Sequence, residues 1–380
     1  MKVLMISTDR NIFNPESAVY QRVLAYSEKV EHLSVVVFSL KRHKLERIII
    51  SKQLMINPTN SLNRWLYVFG ALYVAYRDVL SENGSGVDLI TTQDPFETGI
   101  VGLLLSKWFS KRLQVQVHTD VVSPYFKKTS LLNRFRTTLA HIVIPHVNGV
   151  RTVSEKIKTS LQSTFSFRAP VSVLPVFVDQ SRFSHRKEDH EFLRSKYPGF
   201  ELFIILVGRL EFEKNISFAL DLFKEIADQY PKLALVVIGD GSERMALQRK
   251  ASSLGIGERV KFEGWVDNPS VYFQGADIFL HTSFYEGYGM TLLEARIAGL
   301  PVVTSDVGIA RELKGEGVGV CEVGDKKCFL SYLEQFLNQQ DLRLRVHLNT
   351  ESYIEGMFIS KEEYVKRYIA LWEVALKAGW

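Results

Sequence analysis

The stretch Leu202-Phe203-Ile204-Ile205-Leu206-Val207-Gly208-Arg209-Leu210-Glu211-Phe212-Glu213-Lys214-Asn215 decides the reading of the fold. Six apolar residues run without alternation, stop at a glycine, and give way to a charged loop. A helical pattern then begins near Ile216. Unbroken Val/Ile/Leu runs of this length are how strands buried on both faces of a parallel sheet read. The same unit recurs at Leu233–Ile238, Val260–Phe262, Ile278–His281, Pro301–Thr304 and Val318–Cys321, each followed by a helix or turn. It also fills the first half, with strands expected at 3–7, 33–39, 88–92, 113–118, 149–153 and 171–176. Helical periodicity falls at 18–30, 65–80, 96–109 and 131–142. The alternation β-α-β-α implies doubly wound parallel sheets. A polar tract, 179–190, separates the two series, so two α/β domains are expected, 1–178 and 179–359. Lys361–Lys377 places apolar residues at Tyr364, Val365, Tyr368, Leu371, Trp372, Ala375 and Leu376, one amphipathic helix.

The chain has 380 residues, 46% of them apolar and 23% charged, enough for a large core. Cys321 and Cys328 fit no zinc spacing and no disulfide framework, so two reduced thiols are expected. The start, Met1–Asp9, is apolar for too short a stretch to be a signal peptide and reads as a buried strand. The longest apolar run, 65–75, is too short to cross a bilayer. Charge is polarised. Residues 1–185 hold 23 Lys and Arg against 13 Asp and Glu, a net +10, whereas 186–380 hold 24 against 29, a net −5. The basic half implies an anionic partner or surface, and no nucleic-acid-binding signature accompanies it.

Ligands of doubly wound sheets sit at the carboxyl ends of strands. Three loops there carry polar chemistry. In Gly208–Asn215, Arg209 and Lys214 flank a helix start, an arrangement suited to a diphosphate; a pair of solvated surface charges is the other reading. In Phe284-Tyr285-Glu286-Gly287-Tyr288-Gly289-Met290-Thr291-Leu292-Leu293-Glu294-Ala295, two glycines admit backbone amides to a ligand, and Glu286 and Glu294 can take hydroxyls. An acidic loop beside a helix-surface glutamate is the alternative. In Val115-Gln116-Val117-His118-Thr119-Asp120, His118 ends a strand, as a sugar ligand or as a structural histidine. The turn Ile238-Gly239-Asp240-Gly241 specifies little. There is no Walker loop, nucleophile elbow or metal-site spacing.

Taken in order, these segments resemble glycosyltransferase family 4, the retaining enzymes of GT-B fold. The resemblance rests on Gly208-Arg209-Leu210-x(3)-Lys214-Asn215, Glu286-x(7)-Glu294, His118-Thr119-Asp120, Thr92-Gln93-Asp94-Pro95-Phe96, Ile238-Gly239-Asp240-Gly241 and Gly299-Leu300-Pro301-Val302-Val303. It implies two Rossmann-like domains facing a central cleft, the C-terminal helix (360–380) completing the N-terminal domain. It implies a nucleoside-diphosphate sugar in the C-terminal domain, with Arg209 and Lys214 on the diphosphate and Glu294 on the ribose. Glu286, Gly287, Tyr288, Gly289, Met290 and Thr291 would hold sugar and phosphate, beside Gly208 and Gly239. His118, Arg209, Lys214 and Glu286 are the catalytic candidates. The acceptor, a glycan or lipid-linked molecule, would bind the N-terminal domain near Asp120. No cofactor or metal is expected, because the cations already answer the leaving-group charge. A nucleotide-sugar epimerase and a non-catalytic nucleotide-sugar or membrane-surface binder are the alternatives. Lys127, Lys128, Arg134 and Arg136, interleaved with Tyr125, Phe126, Leu131, Leu132 and Phe135, suit an anionic membrane. A cytoplasmic protein with peripheral contact at the inner face of the membrane is therefore expected. One departure is the loop 9–18, which lacks the glycine pair of the family.

Overall fold

The computed structural model describes residues 1–80, 86–178, 191–313, 315–356 and 358–378. The polar tract 179–190 lies outside them. Contacts divide the chain into Met1–Val176 with Ile359–Trp380, and Phe177–Phe358.

The N-terminal unit is built on eight strands: β1 (Lys2–Ser7), β2 (His32–Val37), β3 (Ile48–Ile49), β4 (Leu54–Pro58), β5 (Leu89–Thr92), β6 (Arg112–Val117), β7 (Gly149–Thr152) and β8 (Val171–Val173). Their order is β3-β4-β2-β1-β5-β6-β7-β8. Every pairing is parallel except β3 with β4. The sequence reading missed that hairpin, because Ile48–Ile49 is too short to show a period. The helices are α1 (Ala18–Ser27), α2 (Tyr67–Leu80), α3 (Glu97–Phe109), α4 (Pro124–Thr129), α5 (Leu131–Val143) and α6 (Glu155–Thr164). Ser17, Ser130 and Ser154 cap α1, α5 and α6 by accepting from amides one turn on. The glycine-free loop before α1 forms a 3-10 turn, Arg10–Phe13, capped by Asp9. Gln93 ties β5 to β1: its Oε1 accepts from Ser7 Oγ at 2.7 Å and from the Thr8 amide at 2.8 Å.

The C-terminal unit has β9 (Leu202–Val207), β10 (Leu233–Ile238), β11 (Val260–Gly264), β12 (Ile278–His281), β13 (Val302–Ser305) and β14 (Val318–Cys321), ordered β11-β10-β9-β12-β13-β14 and wholly parallel. Its helices are α7 (Phe192–Lys196), α8 (Ile216–Ala227), α9 (Arg244–Ser253), α10 (Ser270–Gly275), α11 (Met290–Ile297), α12 (Lys326–Asn338), α13 (Gln340–Leu348) and α14 (Thr350–Ile354). Ile204, Leu206, Leu235, Val237, Leu280 and Val303 meet Leu220, Phe223 and Phe329 in one buried cluster, which fixes the strand ends that carry the loops. Strand order reverses between β9 and β12, the place where such sheets leave a crevice for ligands.

The last helix, α15 (Lys361–Lys377), belongs to the N-terminal unit and packs on β6, β7 and α1. Trp372 is fully buried there against Tyr26 and Tyr368. One expectation is corrected. Cys321 and Cys328 form a disulfide, because the end of β14 brings its thiol against the first turn of α12. Among the described residues no helix is long and apolar enough to cross a membrane.

Candidate functional site

The loops after β9 and β12 meet at the reversal point, and the backbone stitches them together. Thr282 Oγ1 donates to the carbonyls of Lys214 (3.0 Å) and Asn215 (3.1 Å), and the Phe284 amide donates to Glu213 O at 2.8 Å. Lys214 and Glu286 thereby become neighbours and form an ion pair, both side chains mostly buried. Glu286 Oε1 also accepts from Ser283 Oγ at 2.8 Å and lies 3.1 Å from His281 Nε2. His281 Nδ1 is 3.1 Å from Thr304 Oγ1.

Burial alone would raise the Glu286 carboxyl. The bond from His281 and the Lys214 charge outweigh it and hold the group down at about 2. Burial pushes the His281 imidazole below its ordinary value, so at neutral pH the ring is uncharged and donates to Glu286 through Nε2. The site is thus a fixed lysine ammonium against a fixed carboxylate. Arg209 stands apart. Its guanidinium is 69% exposed and donates to Glu213 at 2.7 Å. Its side chain is mostly exposed, whereas that of Lys214 is mostly buried.

The remaining donor-side candidates fall on the same loops. Gly208 lies against the Lys214 stem. Gly239 has its own packing reason: at φ +133° a Cβ there would stand 1.9 Å from Gly208 O. Gly289, at φ +87°, starts α11, so Met290 and Thr291 open the helix; Gly287 precedes it in the loop. Tyr288 is buried, and burial pushes its phenol up to about 12. The Ile309 amide holds the Tyr288 carbonyl at 2.9 Å, so the loop after β13 supports this one. Glu294 is half-buried on α11. His281, Ser283 and Thr304 were missed from the sequence: they lie at or just past the ends of apolar strands, and the residue types alone carry no signal.

In the N-terminal unit, His118 follows β6. Its Nε2 lies 3.2 Å from Gln116 Oε1. Burial, then the charges of Arg151 and Arg22, press its imidazole down to about 3, so it is a neutral hydrogen-bonding group, never a cation at physiological pH. Asp120 accepts from Ser160 Oγ at 3.3 Å, and burial raises its carboxyl. Lys127, Lys128 and Arg134 are exposed beside exposed Leu131, Leu132 and Phe135. Arg136 does not join them. It donates to Glu97 at 3.1 Å and lies over the Phe96 ring, because α5 turns that side chain toward α3. Among the described residues no three His, Cys, Asp or Glu side chains are grouped to hold a metal.

Residues 188–353 match the family described as glycosyl transferases group 1. The chain is 27% identical over 296 residues to the alpha-monoglucosyldiacylglycerol synthase of Streptococcus pneumoniae, a match covering 74% of this chain and 65% of that one. It is 32% identical over 149 residues to the lipopolysaccharide core biosynthesis glycosyltransferase LpsE of Rhizobium meliloti, covering 39% and 44%. The chain thus spans less than two thirds of the length of these relatives. Among solved structures, sucrose-phosphate synthase of Thermosynechococcus elongatus superposes with a TM-score of 0.78 at 18% identity, covering 98% of both chains. HepE of Anabaena in complex with UDP and glucose superposes at 0.70 and 18%, covering 97% of this chain and 98% of that one. The chain therefore has the GT-B fold, two Rossmann-like α/β units, and its residues 188–353 match the family of group 1 glycosyl transferases.

Proposed function

We propose that the protein is a retaining glycosyltransferase that moves a sugar from a nucleoside-diphosphate sugar to a glycan or lipid-linked acceptor. The observation that carries this is the pairing of Lys214 and Glu286 at the reversal point of the C-terminal sheet, with Arg209 exposed beside them. Arg209 leaves Glu213 for the diphosphate, where its planar fork suits phosphate oxygens. Lys214 supplies the second cation, and the first turn of α11 supplies amides. Glu294 accepts from the ribose, and Glu286 from the sugar.

The acceptor hydroxyl attacks the anomeric carbon on the face from which the diphosphate departs. The carbon–oxygen bond to the diphosphate breaks, its electron pair stays on the phosphate oxygen, and that oxygen takes the acceptor proton. Fixed cations stabilise the growing charge without reorganisation, each donor contributing about 2–4 kcal/mol. No metal is required for this. His118, being neutral, serves as a hydrogen-bonding sugar ligand, and acceptor contacts fall to the N-terminal unit around Asp120.

An acceptor at an anionic membrane is favoured by the exposed Lys127, Lys128 and Arg134 beside Leu131, 81% exposed, and Phe135. That would place the enzyme peripherally at the cytoplasmic face of the membrane. The experiment is transfer from UDP-glucose and GDP-mannose to lipid and glycan acceptors in EDTA, with the product anomer read by NMR. Retained configuration and chelator-resistant turnover are expected. An inverted product, or loss of turnover restored by manganese, would overturn the mechanism. Consumption of donor without acceptor would favour the epimerase.

A further inference from the structure

Arg151 is buried on β7, 4% exposed, and among the described residues its hydrogen bonds go to no carboxylate. Its Nη2 donates to the carbonyls of Leu174 (3.0 Å) and Pro175 (3.2 Å) and to Tyr364 Oη (3.0 Å). Its guanidinium lies 5.0 Å from the centre of the Tyr368 ring. The remaining bond, from Nη1, goes to Gln116 Oε1 at 2.8 Å.

That bond has a chemical consequence. Arginine only donates, so the Gln116 atom facing it is the carbonyl oxygen, and the amide orientation is fixed. The amide nitrogen points the other way, to Tyr368 Oη on α15, at 2.6 Å. The same oxygen lies 3.2 Å from His118 Nε2. An oxygen that only accepts requires a proton on Nε2. In a neutral ring Nδ1 is then the lone-pair nitrogen.

We propose that Gln116, clamped between Arg151 of β7 and Tyr368 of α15, is a positioning residue that holds His118 in the Nε2–H tautomer and leaves Nδ1 as its hydrogen-bond acceptor. His118 is thereby set to accept a hydrogen bond from a substrate hydroxyl through Nδ1. The proposal rests on the sugar-binding role given to His118. It also gives the returning C-terminal helix a part in that residue's chemistry: Gln114 Nε2 donates to Leu371 O at 3.1 Å, so two glutamines of β6 grip α15. Among the described residues the charges acting on the ring are Arg151 of β7 and Arg22 of α1; Tyr368 of α15 is bonded to Gln116, and Asp120 follows two residues on in the same loop. Burial, and then both arginines, oppose an imidazolium and keep the ring neutral.

The test is long-range 1H–15N NMR on the full chain labelled at its nine histidines. His118→Gln serves only to assign the resonance. The wild type should show His118 protonated at Nε2 and bare at Nδ1, without titration between pH 8 and pH 5. Gln116→Glu keeps an acceptor for Arg151 and His118, and the Tyr368 hydroxyl turns to donate. Its carboxylate should move the His118 pKa upward by about one unit or more. Gln116→Met removes the acceptor and should give mixed tautomers, with thermal melting confirming the fold. A wild-type ring protonated at Nδ1, a ring titrating near its ordinary value, or a His118 spectrum unchanged in both variants would overturn the proposal. Full turnover of UDP-glucose by His118→Gln would instead overturn the sugar-binding role and leave the tautomer result standing.

Discussion

Lys214 and Arg209 look alike in sequence and differ in the molecule. Loss of Lys214 leaves the Glu286 carboxylate without its ammonium partner in a mostly buried position. Breaking such a pair costs about 3–5 kcal/mol. Lys214→Ala should therefore melt well below wild type. Arg209→Ala, whose partner pair is exposed on the arginine side, should melt within a degree or two of it. Thermal unfolding of the two variants checks this, and equal melting temperatures would remove Lys214 from its buried pair. The lysine and glutamate were legible as residue types, but not their contact, since 72 positions separate them. Arg151 was not legible at all: within the strand pattern Gly149–Val153 one arginine carries no signal, and its partners come from β6, β8's exit and α15.

Glu286 also predicts a pH response. Its folded pKa, about 2, lies below the ordinary carboxylate value of about 4.3. The unfolded chain thus binds more protons between these values, so the stabilisation from Glu286 is present above about pH 4.3 and lost as pH falls toward 2. Urea midpoints at pH 6, 4 and 3 should fall less steeply for Glu286→Gln than for wild type, from a lower start at pH 6. Identical slopes would show that the carboxylate gains nothing from Lys214 and His281.

Elements with a strong period were read closely: β9, β10, β12, β14 and α15 fall at the expected residues. Short ones were not, as β3 and α4 show, because two to six residues give no period to count. The TQDPF segment, noticed only through resemblance, turns out to lace β5 to β1 through Gln93 and to start α3 through Asp94, which accepts from the Phe96 amide at 2.8 Å. For α15, the amphipathic stripe was visible but its anchor was not. Trp372 has no exposed surface, and its indole nitrogen has no hydrogen-bond partner among the described residues. Trp372→Ala should cost about 3–5 kcal/mol of stability in the N-terminal unit. Trp372→Phe should cost less, since no hydrogen bond is lost with the N–H. Denaturant unfolding checks the order, and an equal loss in both would point to an unseen bond at the indole.

Across the whole molecule the charge is divided, net +10 on the first 185 residues against −5 on the rest. The exposed members Lys127, Lys128 and Arg134 lie by exposed leucines and a phenylalanine, whereas Arg136 is spent on Glu97. Each basic residue at an anionic surface contributes about 1 kcal/mol. Vesicle co-sedimentation should need anionic lipid, weaken with salt, and fall when Lys127, Lys128 and Arg134 are made neutral but not when Arg136 is. Protein left in the supernatant at low salt with anionic vesicles would favour a soluble acceptor. On the proposed function, cations at the reversal point of the C-terminal sheet hold a nucleoside diphosphate without a metal. Calorimetric titration of UDP and of GDP in EDTA, into wild type and Arg209→Ala, tests it most directly. One of the two nucleotides should bind the wild type and bind the folded Arg209→Ala protein at least tenfold more weakly. Binding of neither nucleotide, or equal affinity in both proteins, would contradict it.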